Sequence, residues 1–189
     1  MPKENNKQAN NAESSDFTNN PQSAENASET KKKLSANTVL VVDDEMTVRR
    51  FVRRRVQRYA PNVTTIEALN GSEGLEKLSE IREKSNRDPL LIVTDLNMPV
   101  MDGWDFIQEL KSDYESRGQA QGIPVIALSA TGGEKGILFM RRSVVKGRNV
   151  KYTPLISVAK ESCLNPSDYD ATGQEGLDAW LKFFLSHSA

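Results

Sequence analysis

One cysteine, Cys163, and one histidine, His187, among 189 residues narrow the chemistry at the outset. A lone cysteine excludes an intramolecular disulfide and suits a reducing compartment. A lone histidine in the C-terminal tail gives no footing for histidine-based catalysis or a zinc site. No apolar run approaches the length of a membrane span, and the N-terminus lacks the apolar core of a secretory signal. Charge of one sign is also missing: 25 basic against 26 acidic residues provide no bulk attraction to nucleic acid or membrane. There is no Gly-rich phosphate loop of the Walker or dinucleotide type and no internal repeat. The expectation is a soluble, cytoplasmic protein with one sizeable core and a tail.

The tail is residues 1–36. It holds seven Asn, and besides Met1 only Phe17 and Leu34 are large and apolar. So little apolar surface cannot offset the entropy of ordering a chain, so this stretch is expected to be disordered. Lys31-Lys32-Lys33 reads as a solvated boundary.

From Thr38 onward strand and helix signals alternate, which predicts βα units and a parallel sheet. Val39-Leu40-Val41-Val42 and Leu90-Leu91-Ile92-Val93 are unbroken apolar runs, as expected of strands covered on both faces. A helix is predicted over Met46–Tyr59, a strand over Asn62–Ile66 after Pro61, and a helix from Asn70-Gly71-Ser72 to about Lys84. A further helix over Trp104–Ser116, a strand over Ile123–Leu128, a helix over Glu134–Lys146 and a last helix over Gly173–Ser186 follow. Asp43 and Asp44 stand just past the first strand and Asp95 just past the third. Carboxylates crowded at one sheet edge repel one another unless protonated or joined by a cation, and Mg²⁺, which takes oxygen ligands, fits.

Three blocks carry a family resemblance: Val41-Val42-Asp43-Asp44-Glu45; Val93-Thr94-Asp95-Leu96-Asn97-Met98-Pro99 with Met101-Asp102-Gly103; and Pro124-Val125-Ile126-Ala127-Leu128-Ser129-Ala130. Each lies at a strand end, in order, and together they resemble the receiver domain of two-component response regulators, the chemotaxis regulator above all. The resemblance implies a flavodoxin-like, three-layer αβα fold with a five-stranded parallel sheet of order 2-1-3-4-5. It places the receiver over 37–189, with an atypical part at 147–171.

It also implies a function: a single-domain response regulator that accepts a phosphoryl group on Asp95 from a histidine kinase or histidine phosphotransferase. Mg²⁺ would be held by Asp44, Asp95 and the Asn97 carbonyl, and through water by Asp43. Ser129 would contact the phosphoryl group and drive the switch, and a lysine at the end of strand five would neutralise an oxygen. The family's Lys-Pro pair is absent from this chain. Pro154–Lys160 is the first choice for strand five, with Lys160 at its end; the alternative is Val150–Thr153, with Lys151 or nothing in the role and Tyr152 as the aromatic that changes rotamer.

Plainer explanations exist for single residues. Asp43 alone would serve as an N-cap, and Ser129 alone as a structural hydroxyl. Arg49, Arg50, Arg53, Arg54, Arg55 and Arg58 on the first helix read as a basic solvent face, suited to an acidic kinase or phosphotransferase helix. Neither a helix-turn-helix nor a basic region with a zipper is present, so no DNA binding is expected. A receiver-like adaptor that ignores phosphorylation is the alternative function. A hydrolase is disfavoured because Asn97 occupies the position where aspartate-nucleophile phosphatases carry a second acid. The expectation is therefore no enzyme beyond self-phosphorylation from small donors and slow self-dephosphorylation, with an unknown downstream protein as output.

Overall fold

The computed structural model describes residues 37–129, 152, 154–160 and 176–186. The expected tail, the helix at 134–146, Lys151, Cys163, most of the 147–171 segment and His187 lie outside the described residues. β1 (Thr38–Val42), α1 (Met46–Tyr59), β2 (Thr64–Ala68), α2 (Gly71–Ser85), β3 (Leu91–Asp95), α3 (Gly103–Ser116), β4 (Val125–Ser129), β5 (Leu155–Ala159) and α4 (Leu177–Ser186) follow one another along the chain. The five strands form one parallel sheet in the order β2-β1-β3-β4-β5.

Helices on both faces explain the unbroken apolar strands. Along β1, Val39 and Val41 pack with Val48, Val52 and Val56 of α1 and Leu181 of α4, while Leu40 and Val42 pack with Leu78 of α2 and Phe106 and Leu110 of α3. Because successive side chains point to opposite faces, every strand position needs an apolar residue. Each such fully buried side chain contributes roughly 1.5–3 kcal/mol. No helix among the described residues is long and apolar enough to cross a membrane.

Strands β2 and β4 are displaced from the expected Asn62–Ile66 and Ile123–Leu128, and β5 follows the first choice, with Lys160 just past its end. β2 starts two residues later than the Asn62 boundary, because Pro61 and Asn62 form a turn closed by the Val63 N–H on the Ala60 carbonyl at 3.0 Å. β5 is Leu155–Ala159, paired with β4 from Val125↔Leu155 to Ser129↔Ala159. The alternative at 150–153 is set aside, since Tyr152 precedes the strand. Helix starts follow local chemistry: the Asn70 side chain accepts from the Glu73 N–H at 3.0 Å and Asp102 from the Asp105 N–H at 2.9 Å, capping α2 and α3.

Candidate functional site

β1 and β3 are sheet neighbours in register, Val42 opposite Thr94, so the residues that follow emerge side by side. Asp43 is fully buried, Asp95 nearly so, and Asp44 is exposed. One carboxylate oxygen from each lies within 4.8 Å of the others. The cluster sits where the chain order reverses, β1 leading to β2 on one side and β3 to β4 on the other, which is the ligand crevice of open α/β sheets.

Lys160, one residue past β5, closes the crevice. Its Nζ donates to Asp95 Oδ2 at 2.8 Å and pairs with Glu45 Oε1 at 2.7 Å. It also donates to Asp43 Oδ1 at 3.4 Å, and lies 3.3 Å from Asp43 Oδ2 without hydrogen-bond geometry. Burial pulls the ammonium's pKa down, but hydrogen bonds to Asp95 and Glu45 and the charges of Asp43 and Asp95 outweigh it, so the pKa is raised. Burial pushes the Asp43 carboxyl up to about 6, against the Glu45 N–H and Lys160, which favour the anion.

Two buried oxygens, Asp43 Oδ2 and Asp95 Oδ1, accept no hydrogen bond. An unsatisfied buried carboxylate oxygen costs free energy unless a cation or donor meets it. Three converging carboxylates with two such oxygens suit a hard divalent cation. The donor set therefore fits the metal expected from the sequence.

The loop after Asp95 is tightly held. Gly103 N–H donates to the Leu96 carbonyl at 3.1 Å, and a Cβ on Gly103 would run into the Asp95 carbonyl oxygen and come within 2.8 Å of Leu96 Cα. Glycine is required there for close approach, not for a special φ. Asn97 is exposed on this loop, and Ser129 is buried at the end of β4, opposite Ala159.

Three expectations change. Asp43 is not the cap of α1: Glu45 holds that position, and Asp43 Oδ1 accepts the Glu45 N–H at 2.8 Å, a turn typical of aspartate. Tyr152 lies at the opposite edge of the sheet, where its hydroxyl donates to the Ile123 carbonyl at 2.8 Å and its ring meets Tyr114 edge-on. Buried and bonded there, it is remote from the position expected of a switching aromatic. The arginines of α1 also divide. Arg49 is buried and donates to the carbonyls of Asp43 and Asp44 at 2.7 and 3.1 Å, and Arg55 pairs with buried Asp178 at 3.1 Å. The basic solvent face is Arg50, Arg53, Arg54 and Arg58. Arg49 falls three residues before Val52 and seven before Val56, a spacing that could have shown it on the buried stripe.

Glu45 was not foreseen as a partner of the site lysine. Its position two residues after Asp43 was the available signal, though contact with residue 160 depends on where β5 ends.

Comparison with known proteins then decides the family: the profile of the response regulator receiver domain matches residues 39–142. The chain belongs to the response regulator receiver family. This receiver is 32% identical over 119 residues to the chemotaxis protein CheY1 of Helicobacter pylori, covering 62% of the chain and 88% of that protein. It is 33% identical over 92 residues to the sensor histidine kinase CheAY of the same organism, covering 49% of the chain and 10% of the kinase. Among solved structures it resembles the phosphorylated cyanobacterial phytochrome response regulator RcpA, with a TM-score of 0.53 at 21% identity over 81% of this chain and 96% of that one. The fold is the flavodoxin-like receiver fold, and receivers are components of two-component signalling.

Proposed function

We propose that the chain is a response regulator whose Asp95 accepts a phosphoryl group from a phosphohistidine on a histidine kinase or histidine phosphotransferase. The observation that carries this is Asp95 itself: Oδ2 is held by Lys160 at 2.8 Å while buried Oδ1 has no hydrogen-bond partner. A carboxylate held on one oxygen and unsatisfied on the other is placed to act as a nucleophile. In the transfer, an Asp95 oxygen forms the bond to phosphorus as the P–N bond to the donor imidazole breaks. The imidazole nitrogen keeps the electron pair and takes up a proton.

Mg²⁺ bound by Asp44, Asp95 and the Asn97 carbonyl, with Asp43 reaching it through water, would neutralise phosphoryl oxygens. The chain's own residues do the rest. Lys160 faces the same oxygens from the other side, Gly103 lets the loop close against Asp95, and Ser129 supplies a hydroxyl at the adjoining strand end. The missing Lys-Pro pair is the motive for a phosphorylation-independent adaptor; Lys160 against Asp95 supports the phosphoacceptor reading even though no proline follows it. Similarity to part of a sensor histidine kinase supports a donor of the kinase or phosphotransferase type. Output through a downstream protein, rather than turnover of a small substrate, is supported by Asn97 standing two residues after Asp95, where aspartate-nucleophile phosphatases carry their second acid.

Intact-protein mass after incubation with acetyl phosphate and Mg²⁺ tests this. One added phosphoryl group is expected on the wild type and none on Asp95→Ala or in chelator. Equal labelling of the variant overturns the assignment.

A further inference from the structure

A full positive charge is buried on the apolar side of α1. Arg49 is 8% exposed and shares the buried stripe with Val48, Val52 and Val56. A guanidinium taken out of water costs free energy unless the contacts around it are well made. Those contacts gather on one turn: Nη1 donates to the carbonyls of Asp43 at 2.7 Å and Asp44 at 3.1 Å, and Nε donates to Glu67 Oε2 at 3.2 Å. Stability alone would be served as well by an apolar side chain of similar length, since replacing a buried ion pair by packed apolar groups is often neutral or better. The two carbonyls that Arg49 grips belong to two of the three acids of the carboxylate cluster.

That turn needs such a hold. Asp44, Glu45, Met46 and Thr47 are all exposed, so core packing does not fix the stretch between buried Asp43 and Val48. Hydrogen bonds hold it instead, among them Asp43 N–H to the Ala68 carbonyl at 3.1 Å, Glu45 N–H to Asp43 Oδ1 at 2.8 Å, and the two carbonyls on Arg49. Turning two successive carbonyls onto one guanidinium nitrogen sets both peptide planes, and with them the directions in which the Asp43 and Asp44 side chains leave the backbone. Charge is balanced as well. An uncompensated guanidinium beside the cluster would repel a divalent cation, and Glu67 from β2 offsets it. A lysine, with a point charge in place of a planar fork, would not hold both carbonyls and a carboxylate together.

We propose that Arg49 is a positioning residue: paired with Glu67, it forms a charge-neutral clamp on the Asp43-Asp44 turn that sets both carboxylates for a divalent cation. The consequence for phosphoryl transfer rests on Asp95 being the phosphoacceptor. The clamp has a sign opposite to that of plain electrostatics. Taking a positive charge away from beside three carboxylates would tighten cation binding by Coulomb attraction, whereas loosening the turn weakens it. Groups that orient metal ligands from behind typically contribute about tenfold or more in affinity.

The full-length wild type, Arg49→Met, Arg49→Met/Glu67→Gln and Arg49→Lys would be titrated with Mg²⁺. The first readout is the rise of the thermal midpoint without any phosphodonor, and the second is the rate of labelling by acetyl phosphate. The double variant keeps the net charge of the wild type, so its affinity reports the geometry of the turn. Half-saturating Mg²⁺ should rise about tenfold in Arg49→Met and in the double variant, and less in Arg49→Lys, by both readouts. At saturating Mg²⁺ the labelling rate should return to within about threefold of the wild type, which places the loss in the metal requirement. Arg50→Met, which removes an exposed charge one residue along, should leave half-saturation unchanged. Half-saturation that is unchanged or lower in every clamp variant that folds overturns the proposal, whatever the midpoint in chelator; a fallen midpoint alone would make Arg49 structural only. Arg49→Lys keeps the charge and decides the matter if the apolar variants do not fold. A rise of equal size in Arg50→Met overturns the clamp too, as does a wild type indifferent to Mg²⁺. A wild type stabilised by Mg²⁺ but never labelled overturns Asp95 as the phosphoacceptor, while the midpoint titration still judges the clamp.

Discussion

The two edges of the sheet are built from the same strands and solve opposite problems. At the edge where β1 and β3 end, Asp43, Asp44 and Asp95 converge, Lys160 answers them, and two buried carboxylate oxygens stay unsatisfied. At the other edge Tyr152 gives its hydroxyl to the Ile123 carbonyl and packs on Tyr114. Outside it, Arg82 binds Asp88 and Asp113 at 2.6 and 2.7 Å, and Arg117 binds the same two acids at 3.1 and 2.7 Å. Burial raises the Asp113 pKa, but Arg82 and Arg117 outweigh it and leave it lowered; Asp43, with less help, is raised. One edge is tied together by ion pairs and a buried tyrosine hydroxyl, while the other carries buried carboxylate charge that suits a cation.

Removing Lys160 from the charged edge should sharpen this contrast most. Lys160→Met leaves Asp95 and Asp43 buried without it, and should cost about 3 kcal/mol of stability at pH 7 in chelator. Added Mg²⁺ should restore more stability to the variant than to the wild type, as read by urea denaturation. Equal Mg²⁺ stabilisation would break the link between the lysine and the carboxylates.

A pH series on Asp43→Asn tests the same edge. Asp43 titrates near 6 in the folded chain and near 3.8 otherwise, so the folded state holds the extra proton between those values. Stability must then fall as pH rises through that window. In chelator the variant should be more stable than the wild type by about 2–3 kcal/mol at pH 7, an advantage that fades as pH drops from 6 to 4. A constant difference across the window would show that Asp43 is not held protonated.

The opposite edge should respond in stability and not in phosphorylation. A Cβ on Gly122 would run into the Tyr152 hydroxyl and lie 2.7 Å from Tyr114 Cδ1. Gly122→Ala should therefore cost about 2 kcal/mol with an unchanged rate of acetyl phosphate labelling. A slower rate would mean that the two edges are coupled. The smallest effect is expected of Asp113→Ala, whose half-exposed ion pairs contribute roughly 0.5–1 kcal/mol, less at high salt.

Much of this arrangement was legible in the chain. Val39–Val42 and Leu90–Val93 announced buried parallel strands because both faces of such strands need apolar residues. Asp43, Asp44 and Asp95 could be placed on one edge because all strands of a parallel sheet end on the same side. The arginines of α1 were less legible: spacing could place Arg49 on the buried stripe, but the structural role of Arg55 shows only through Asp178, remote in sequence.

What the sequence determined by itself was local and periodic: strand and helix types, the edge that holds the carboxylates, and the family-like blocks around them. Tertiary structure alone decided which lysine meets Asp95, that Glu45 shares it, and that Tyr152 lies at the far edge. These depend on strand-end register and on contacts spanning tens of residues in the chain. Periodicity cannot encode such contacts, since a shift of β5 by a few residues would bring a different side chain to the site.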